Sequence, residues 1–254
     1  MSFSDAEVER YARHLVLSEL GGPGQQRLRA SSVLVVGAGG VGCPAAMYLA
    51  AAGIGRLGLV DDDTVALSNL QRQVLFATAD VGRPKVEAAR ERLAAMNPHV
   101  GIEAIDARIG DDNADGIIAG YDLVLDGTDD FATRLAVNAA CVRLGRPLVS
   151  GALGRWSGQV ALFEGRPCYR CLVPEIPPDA ETCARVGVVG AVPGVIGAMA
   201  AMEAIKRLAG AGEPLAGRML IYNGLAATAR AVRVAADPAC PVCAQAKAAD
   251  SIST

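Results

Sequence analysis

Histidine is nearly absent from this chain of 254 residues: His14 and His99 are the only two. Chemistry that turns on an imidazole base has little to draw on. An excess of positive charge is also missing. Lys and Arg number 24 against 27 Asp and Glu, and the basic residues are scattered, which discounts a nucleic-acid substrate. A secretory signal is missing too, because Met1 to Arg10 carries Asp5, Glu7 and Glu9, so a cytoplasmic address is expected. No membrane span is expected. Ser31 to Gly55 is uncharged and long enough to cross a bilayer, but its order is a β-branched run, a glycine cluster and an Ala/Leu-rich helix, a buried strand–turn–helix. The uncharged stretch Val186 to Met202, broken by Pro193 and several glycines, reads as a buried helix. No repeat, low-complexity tract or linker divides the chain, which predicts a single domain.

What is present is alternation. Val33–Val36, Leu57–Asp61, Ile102–Asp106, Tyr121–Asp126 and Pro147–Ser150 are short apolar runs with strand character. Helical patterns fall between them at Val41–Ala52, Pro84–Met96 and Asp130–Leu144. This predicts an α/β fold, a Rossmann-like parallel sheet with helices on both faces. Behind it, Gln159–Phe163, Met219–Tyr222 and Ala229–Val234 read as an antiparallel extension around a helix from Gly194 to Leu208, so the sheet should be mixed. Glu7 to Leu20 has helical spacing, and Gly21, Gly22, Pro23 and Gly24 should break it from the core as an arm able to reach another subunit.

Gly37, Gly39, Gly40 and Gly42 follow a strand and open a helix, the context in which a glycine-rich turn lets backbone approach a phosphate at a helix N-terminus. Asp61 would take a ribose hydroxyl. These features alone fit NAD better than ATP. The polar loop that follows, with Asn69, Arg72 and Gln73, brings a guanidinium and amides that hydride transfer does not need. Lys85 stands at a helix start, where the macrodipole disfavours a cation, so an anion should compensate it. Asp129 closes a strand at its carboxyl end; it is placed to hold Mg²⁺ or, equally, to cap the next helix, as Thr128 also could.

Taken together, Arg10–His14, Gly37–Pro44 (GAGGVGCP), Val60–Gln73 (VDDDTVALSNLQRQ), Val81–Glu87 (VGRPKVE) and Asp126–Arg134 (DGTDDFATR) resemble the ThiF/MoeB/HesA family, relatives of ubiquitin-activating enzymes. The resemblance continues through Pro167–Cys171, Glu181–Gly190 and Cys240–Cys243. It implies ATP-dependent adenylation of the C-terminal glycine of a ubiquitin-like sulfur carrier ending in Gly-Gly, with release of pyrophosphate. Such a carboxylate, of pKa ~3.5, is already ionised and needs no general base. By resemblance Asp61 binds ribose, Asn69, Arg72 and Lys85 hold the triphosphate, Asp129 holds Mg²⁺, and Arg13 reaches the phosphates of the neighbouring protomer of a homodimer. The implied division is an N-terminal dimer arm over 1–24, a nucleotide-binding half over 31–150, a carrier- and zinc-binding half over 151–243 and a tail over 244–254.

Seven cysteines complete the picture. Cys168 with Cys171 and Cys240 with Cys243 form two CxxC pairs, which in a cytoplasmic chain point to tetrahedral thiolate Zn²⁺; a redox motif is a poor second. Cys183 aligns with the family's reactive cysteine, with Arg185 nearby to favour a thiolate. Cys43 and Cys141 read as core, and Trp156 as a partly buried packing residue more than as carrier-docking surface. No rhodanese domain follows Cys243, so sulfur should come from a separate donor. The reading is an enzyme of the molybdopterin-synthase type acting on a MoaD-like carrier. A ThiS-like or other carrier is the near alternative, and a nicotinamide oxidoreductase or a non-catalytic zinc scaffold are the remote ones.

Overall fold

The computed structural model describes residues 3–176 and 187–244. In chain order the elements are α1 (Asp5–Leu15), α2 (Gly21–Ala30), β1 (Ser32–Val36), α3 (Gly42–Ala52), β2 (Arg56–Val60), α4 (Lys85–Met96), β3 (Gly101–Ile105), α5 (Ala114–Ile118), β4 (Leu123–Asp126) and α6 (Phe131–Leu144). They continue as β5 (Leu148–Leu153), β6 (Ser157–Phe163), α7 (Tyr169–Leu172), α8 (Ala191–Ala209), β7 (Arg218–Asn223) and β8 (Thr228–Arg233). All eight strands form one sheet in the order β3-β2-β1-β4-β5-β6-β7-β8. The first five are parallel and the rest antiparallel, so the sheet is mixed as the two halves of the sequence imply.

β1 lies at the centre of the parallel half, and all five of its residues are buried. A strand covered on both faces has no use for alternation, which is why Val33–Val36 reads as a continuous apolar run. The two faces carry separate cores. Leu28 of α2, Leu49 of α3, Leu93 of α4 and Ile196 of α8 share one; Ile118 of α5, Val137 of α6 and Tyr169 of α7 share the other. Strand order reverses between β1 and β4, and the crevice beyond the carboxyl ends of those strands is where such sheets bind ligands.

The N-terminus departs from expectation. A capping box opens α1, with Ser4 Oγ accepting from the Glu7 N–H at 3.3 Å and Glu7 Oε2 accepting from the Ser4 N–H at 2.8 Å. The helix ends at Leu15, short of Leu20. The Gly21–Gly24 cluster then starts α2, where a break was expected. Pro23 falls in the first turn, where its missing N–H costs nothing, and docking outweighs the glycines. Gln25 and Leu28 are buried, and Gln25 Nε2 donates to the Ala52 carbonyl at 2.8 Å. Tyr11 of α1 is buried too, its hydroxyl accepting from Asn97 Nδ2 at 2.9 Å. Likewise Pro193 does not break α8; it is the third residue, again in a first turn. The short helices α5 and α7 were not expected.

Candidate functional site

The crevice at the strand ends is a cavity of about 980 Å³. β1 leads into it through Gly37, whose φ of +87° suits glycine. A Cβ on Gly42 would lie 1.8 Å from the Gly37 carbonyl oxygen, so the turn closes onto α3 only without a side chain there. α3 carries no side-chain cap. Gly39, Gly40 and Val41 line the cavity beside that bare helix start, the arrangement that receives a phosphate.

Asp61 follows directly on β2. Its Oδ2 accepts from the Ala38 N–H at 2.7 Å and its Oδ1 from the Asp63 N–H at 2.9 Å, so it braces the glycine turn as well as lining the cavity. Burial pushes its carboxyl above the usual carboxylate range, with Lys85 pulling the other way. Lys85, only 5% exposed at the start of α4, reaches Asp63 Oδ2 at 2.7 Å and Asp61 Oδ1 at 3.7 Å. The anion expected to compensate this lysine is thus supplied within the chain, chiefly by Asp63.

Asn69 closes a 3-10 turn, Leu67–Asn69, and its Oδ1 accepts from the Ala66 N–H at 3.3 Å. Its amide NH₂ makes no hydrogen bond among the described residues. Arg72 lines the cavity and is steadied by the Ser68 carbonyl at 3.1 Å. Gln73 is 4% exposed and its Oε1 is buried without a partner among the described residues. An orphaned buried acceptor costs about 1–3 kcal/mol, and here it borders a cavity able to bring it a donor.

The capping question at Asp129 resolves otherwise than expected. Asp130 caps α6, its Oδ2 accepting from the Thr133 N–H at 2.9 Å, while the Thr128 hydroxyl donates to Asp126 Oδ1 at 2.7 Å. Neither Thr128 nor Asp129 is the cap. Asp129 lines the cavity, exposed, with no hydrogen bond or ion pair among the described residues. An unengaged carboxylate facing a phosphate seat suits Mg²⁺, which is held through one or two carboxylates plus substrate phosphates.

The structure thus brings together Gly37, Gly39, Gly40, Asp61, Asn69, Arg72, Gln73, Lys85 and Asp129. Arg13 is exposed and does not line its own chain's cavity. Cys183 and Arg185 lie outside the described residues. The sequence reading missed Arg108, on the loop after β3, and Arg134 of α6, both of which line the cavity. It also missed the wall formed by Ser157, Gln159, Tyr169 and Ile221, which carries the cavity toward the antiparallel half. Trp156 is 45% exposed in the β5–β6 turn, and Leu225 is exposed in the neighbouring β7–β8 turn, whose Gly224 N–H donates to the Trp156 carbonyl at 2.7 Å.

A second centre lies behind α6. The sulfurs of Cys168, Cys171, Cys240 and Cys243 all fall within 4.8 Å of one another. Cys168 and Cys240 Sγ are 3.8 Å apart, Cys171 and Cys243 Sγ 3.4 Å. Four thiolates at Zn–S of about 2.3 Å around a tetrahedral ion stand about 3.8 Å apart, so the cluster fits zinc. The Asp237 N–H donates to Cys171 Sγ at 3.4 Å, support of the kind metal thiolates use. Cys43 and Cys141 are buried core residues, as expected; burial pushes the Cys43 thiol up to about 12. Among the described residues no helix is long and apolar enough to cross a membrane.

Fold and site together define an α/β protein with a glycine-, cation- and carboxylate-lined cavity at the carboxyl ends of its parallel strands and a separate cluster of four cysteine sulfurs. The ThiF family model matches residues 11–242, and the chain belongs to the ThiF family. It is 49% identical over 252 residues to the sulfur carrier protein adenylyltransferase of Thermus thermophilus, covering 96% of this chain and 93% of that one. It is 47% identical to the molybdopterin-synthase adenylyltransferase of Escherichia coli, covering 95% and 98%. Among solved structures it resembles E. coli MccB with AMPCPP and MccA, at 26% identity and a TM-score of 0.77, covering 87% of this chain and 69% of that one. The chain is an adenylyltransferase of an ATP-using family, and the nicotinamide reading is not favoured.

Proposed function

We propose that the chain adenylates the C-terminal glycine of a MoaD-like sulfur carrier for molybdopterin synthesis. The observation that carries this is the continuous cavity that joins a phosphate seat, built from Gly39, Arg72 and Lys85, to a wall along β6 and β7. An extended Gly-Gly tail, free of side chains, fits a passage between that wall and the nucleotide. One oxygen of the tail carboxylate attacks the α-phosphorus of ATP; an acyl–phosphate bond forms, the bond to the bridging oxygen breaks, and pyrophosphate leaves with the electron pair. No proton moves, because the carboxylate is already ionised.

The residues neutralise and align charge. Asp61 holds the ribose, Asn69, Arg72, Gln73 and Lys85 hold the triphosphate, and Asp129 holds Mg²⁺, which when bound supplies further charge neutralisation on the phosphates. Arg13, exposed and with no hydrogen bond or ion pair among the described residues, serves the partner protomer of a homodimer. Exposed Tyr48 and Met202, on α3 and α8 of one helix layer, are apolar surface for that interface. Trp156, next in sequence to the lining residue Ser157, and Leu225 in the neighbouring turn give the carrier an apolar landing. Cys183 handles the carrier or its sulfur, and a separate protein donates the sulfur. Thiolate zinc suits a reducing cytoplasm.

The test is carrier-dependent exchange of labelled pyrophosphate into ATP, with MoaD-like and ThiS-like proteins and forms of each lacking the terminal Gly-Gly. Exchange is expected with intact MoaD-like carrier alone. Exchange only with ThiS-like carrier reassigns the pathway, and none with either refutes the proposal.

A further inference from the structure

Of the buried polar side chains of α6, Arg134 and Asn138 stand one turn apart and face different centres. Arg134 lines the nucleotide cavity. It donates to the Thr128 carbonyl, to the Gly151 carbonyl at 2.6 Å and to Ser150 Oγ at 3.1 Å, and Thr128 immediately precedes Asp129. Asn138, 1% exposed, uses both ends of its amide on the thiolate segment. Its Oδ1 accepts from the Tyr169 N–H at 2.8 Å, and its Nδ2 donates to Cys168 Sγ at 3.6 Å.

Tyr169 is what joins the two centres. It lies between the ligands Cys168 and Cys171, yet it also lines the nucleotide cavity, with its ring centroid 5.9 Å from the Arg134 guanidinium carbon. The turn that supplies two sulfurs is therefore a wall of the cavity as well. A buried amide whose oxygen holds that wall and whose nitrogen holds a ligand sulfur sets the position of one against the other.

We infer that Asn138 is a positioning residue coupling the metal at the four thiolates to the ligand in the cavity, each stabilising the occupancy of the other. A nucleotide orders the Thr128–Asp129 loop and rests against the Tyr169 wall. Arg134 ties that loop to α6, and Asn138 ties α6 to Cys168. Ordering the wall holds Cys168 where the metal needs it, and by linkage the metal favours the wall the nucleotide needs. A metal that only fastened the tail would be indifferent to nucleotide. The inference rests on the nucleotide reading of the cavity.

The test uses the zinc-loaded full chain. Zinc affinity is measured by competition with a zinc-selective chelator, with and without Mg-ATP, at a nucleotide concentration shown by calorimetry to saturate. ATP is expected to tighten zinc by about 5-fold or more. Asn138→Ala should retain one zinc and bind ATP but show no tightening. Should Asn138→Ala fail to fold, Arg134→Lys leaves both Asn138 contacts in place, breaks the chain at its nucleotide end and should show the same loss. Bound ATP with unchanged zinc affinity, or equal tightening in the variants, overturns the coupling alone. Absence of ATP binding by calorimetry overturns the coupling and the nucleotide reading together.

Discussion

The two halves of the sheet hold their functional groups in opposite ways. In the parallel half the cavity is built from loops after β1, β2 and β4, and several of its polar groups have no partner among the described residues: Asp129, the side-chain NH₂ of Asn69 and Gln73 Oε1. In the antiparallel half the four sulfurs are gathered within reach of one ion and supported by N–H donors from Asn138 and Asp237. A transient ligand needs groups that wait, at some cost to stability, whereas a resident metal needs groups that are already placed. The first region should therefore govern turnover and the second should govern whether the chain stays folded.

The sharpest way to break this division is at Cys240. Loss of one thiolate in Cys240→Ser should release the metal and lower the melting temperature by many degrees, since structural zinc contributes on the order of 10 kcal/mol in zinc-finger peptides and each kcal/mol moves a domain of this size by about 2–4 °C. Metal content and calorimetry check it. A metal-free variant that melts with the native chain would remove the structural role.

Next in size is Lys85→Ala, which should cut pyrophosphate exchange by roughly 10²–10³-fold, the cost of removing one preorganised charge-stabilising donor. Mixed with Arg13→Ala chains, it should regain activity if the proposed homodimer forms, because one of its two composite sites is then intact. Recovery absent from such mixtures would place Arg13 outside the neighbour's site.

The smallest effect sharpens the comparison inside the parallel half, at a carboxylate that is fully engaged. Asp80 accepts from the Ala77 N–H at 2.8 Å and pairs with Arg92 at 2.8 Å and Arg83 at 3.2 Å, and the backbone N–H first, aided by these cations, holds its carboxyl below the usual range. Its stabilisation is complete above the unfolded value of about 3.9 and is lost as pH falls through the lower folded value. Asp80→Asn should thus be about 1 kcal/mol less stable at pH 7 and converge with the native chain in acid. Denaturant melts across pH would reveal it; a constant difference at all pH values would contradict it.

The alternation of strand and helix was legible because buried parallel strands announce themselves as continuous apolar runs, and the gathering of Gly39, Asp61, Arg72 and Lys85 at one cavity because they cluster in sequence just after those runs. The cysteine pairs were legible from chemistry, since few roles need four thiols at such spacing. What escaped were residues whose meaning depends on packing between distant segments. Arg134 looks like an ordinary helix residue until α6 lies beneath the Thr128 loop. Tyr169 looks like filler between two cysteines until Phe163 of β6 and Asn138 of α6 place it against the cavity. The glycines before α2 misled for the same reason: local propensity argued for a break, and the burial of Gln25 and Leu28 against α3 and α8 decided otherwise.

One consequence follows from the ion pair at the start of α4. Lys85 is engaged before any nucleotide arrives, with Asp63, whose side chain is 69% exposed, as its companion. A phosphate oxygen that takes the place of Asp63 on the ammonium turns that companion out into water. Nucleotide affinity at this position therefore reports an exchange between two rival anions and not the pull of a bare cation, and salt, by screening both rivals, should shift it less than the charge of ATP would suggest.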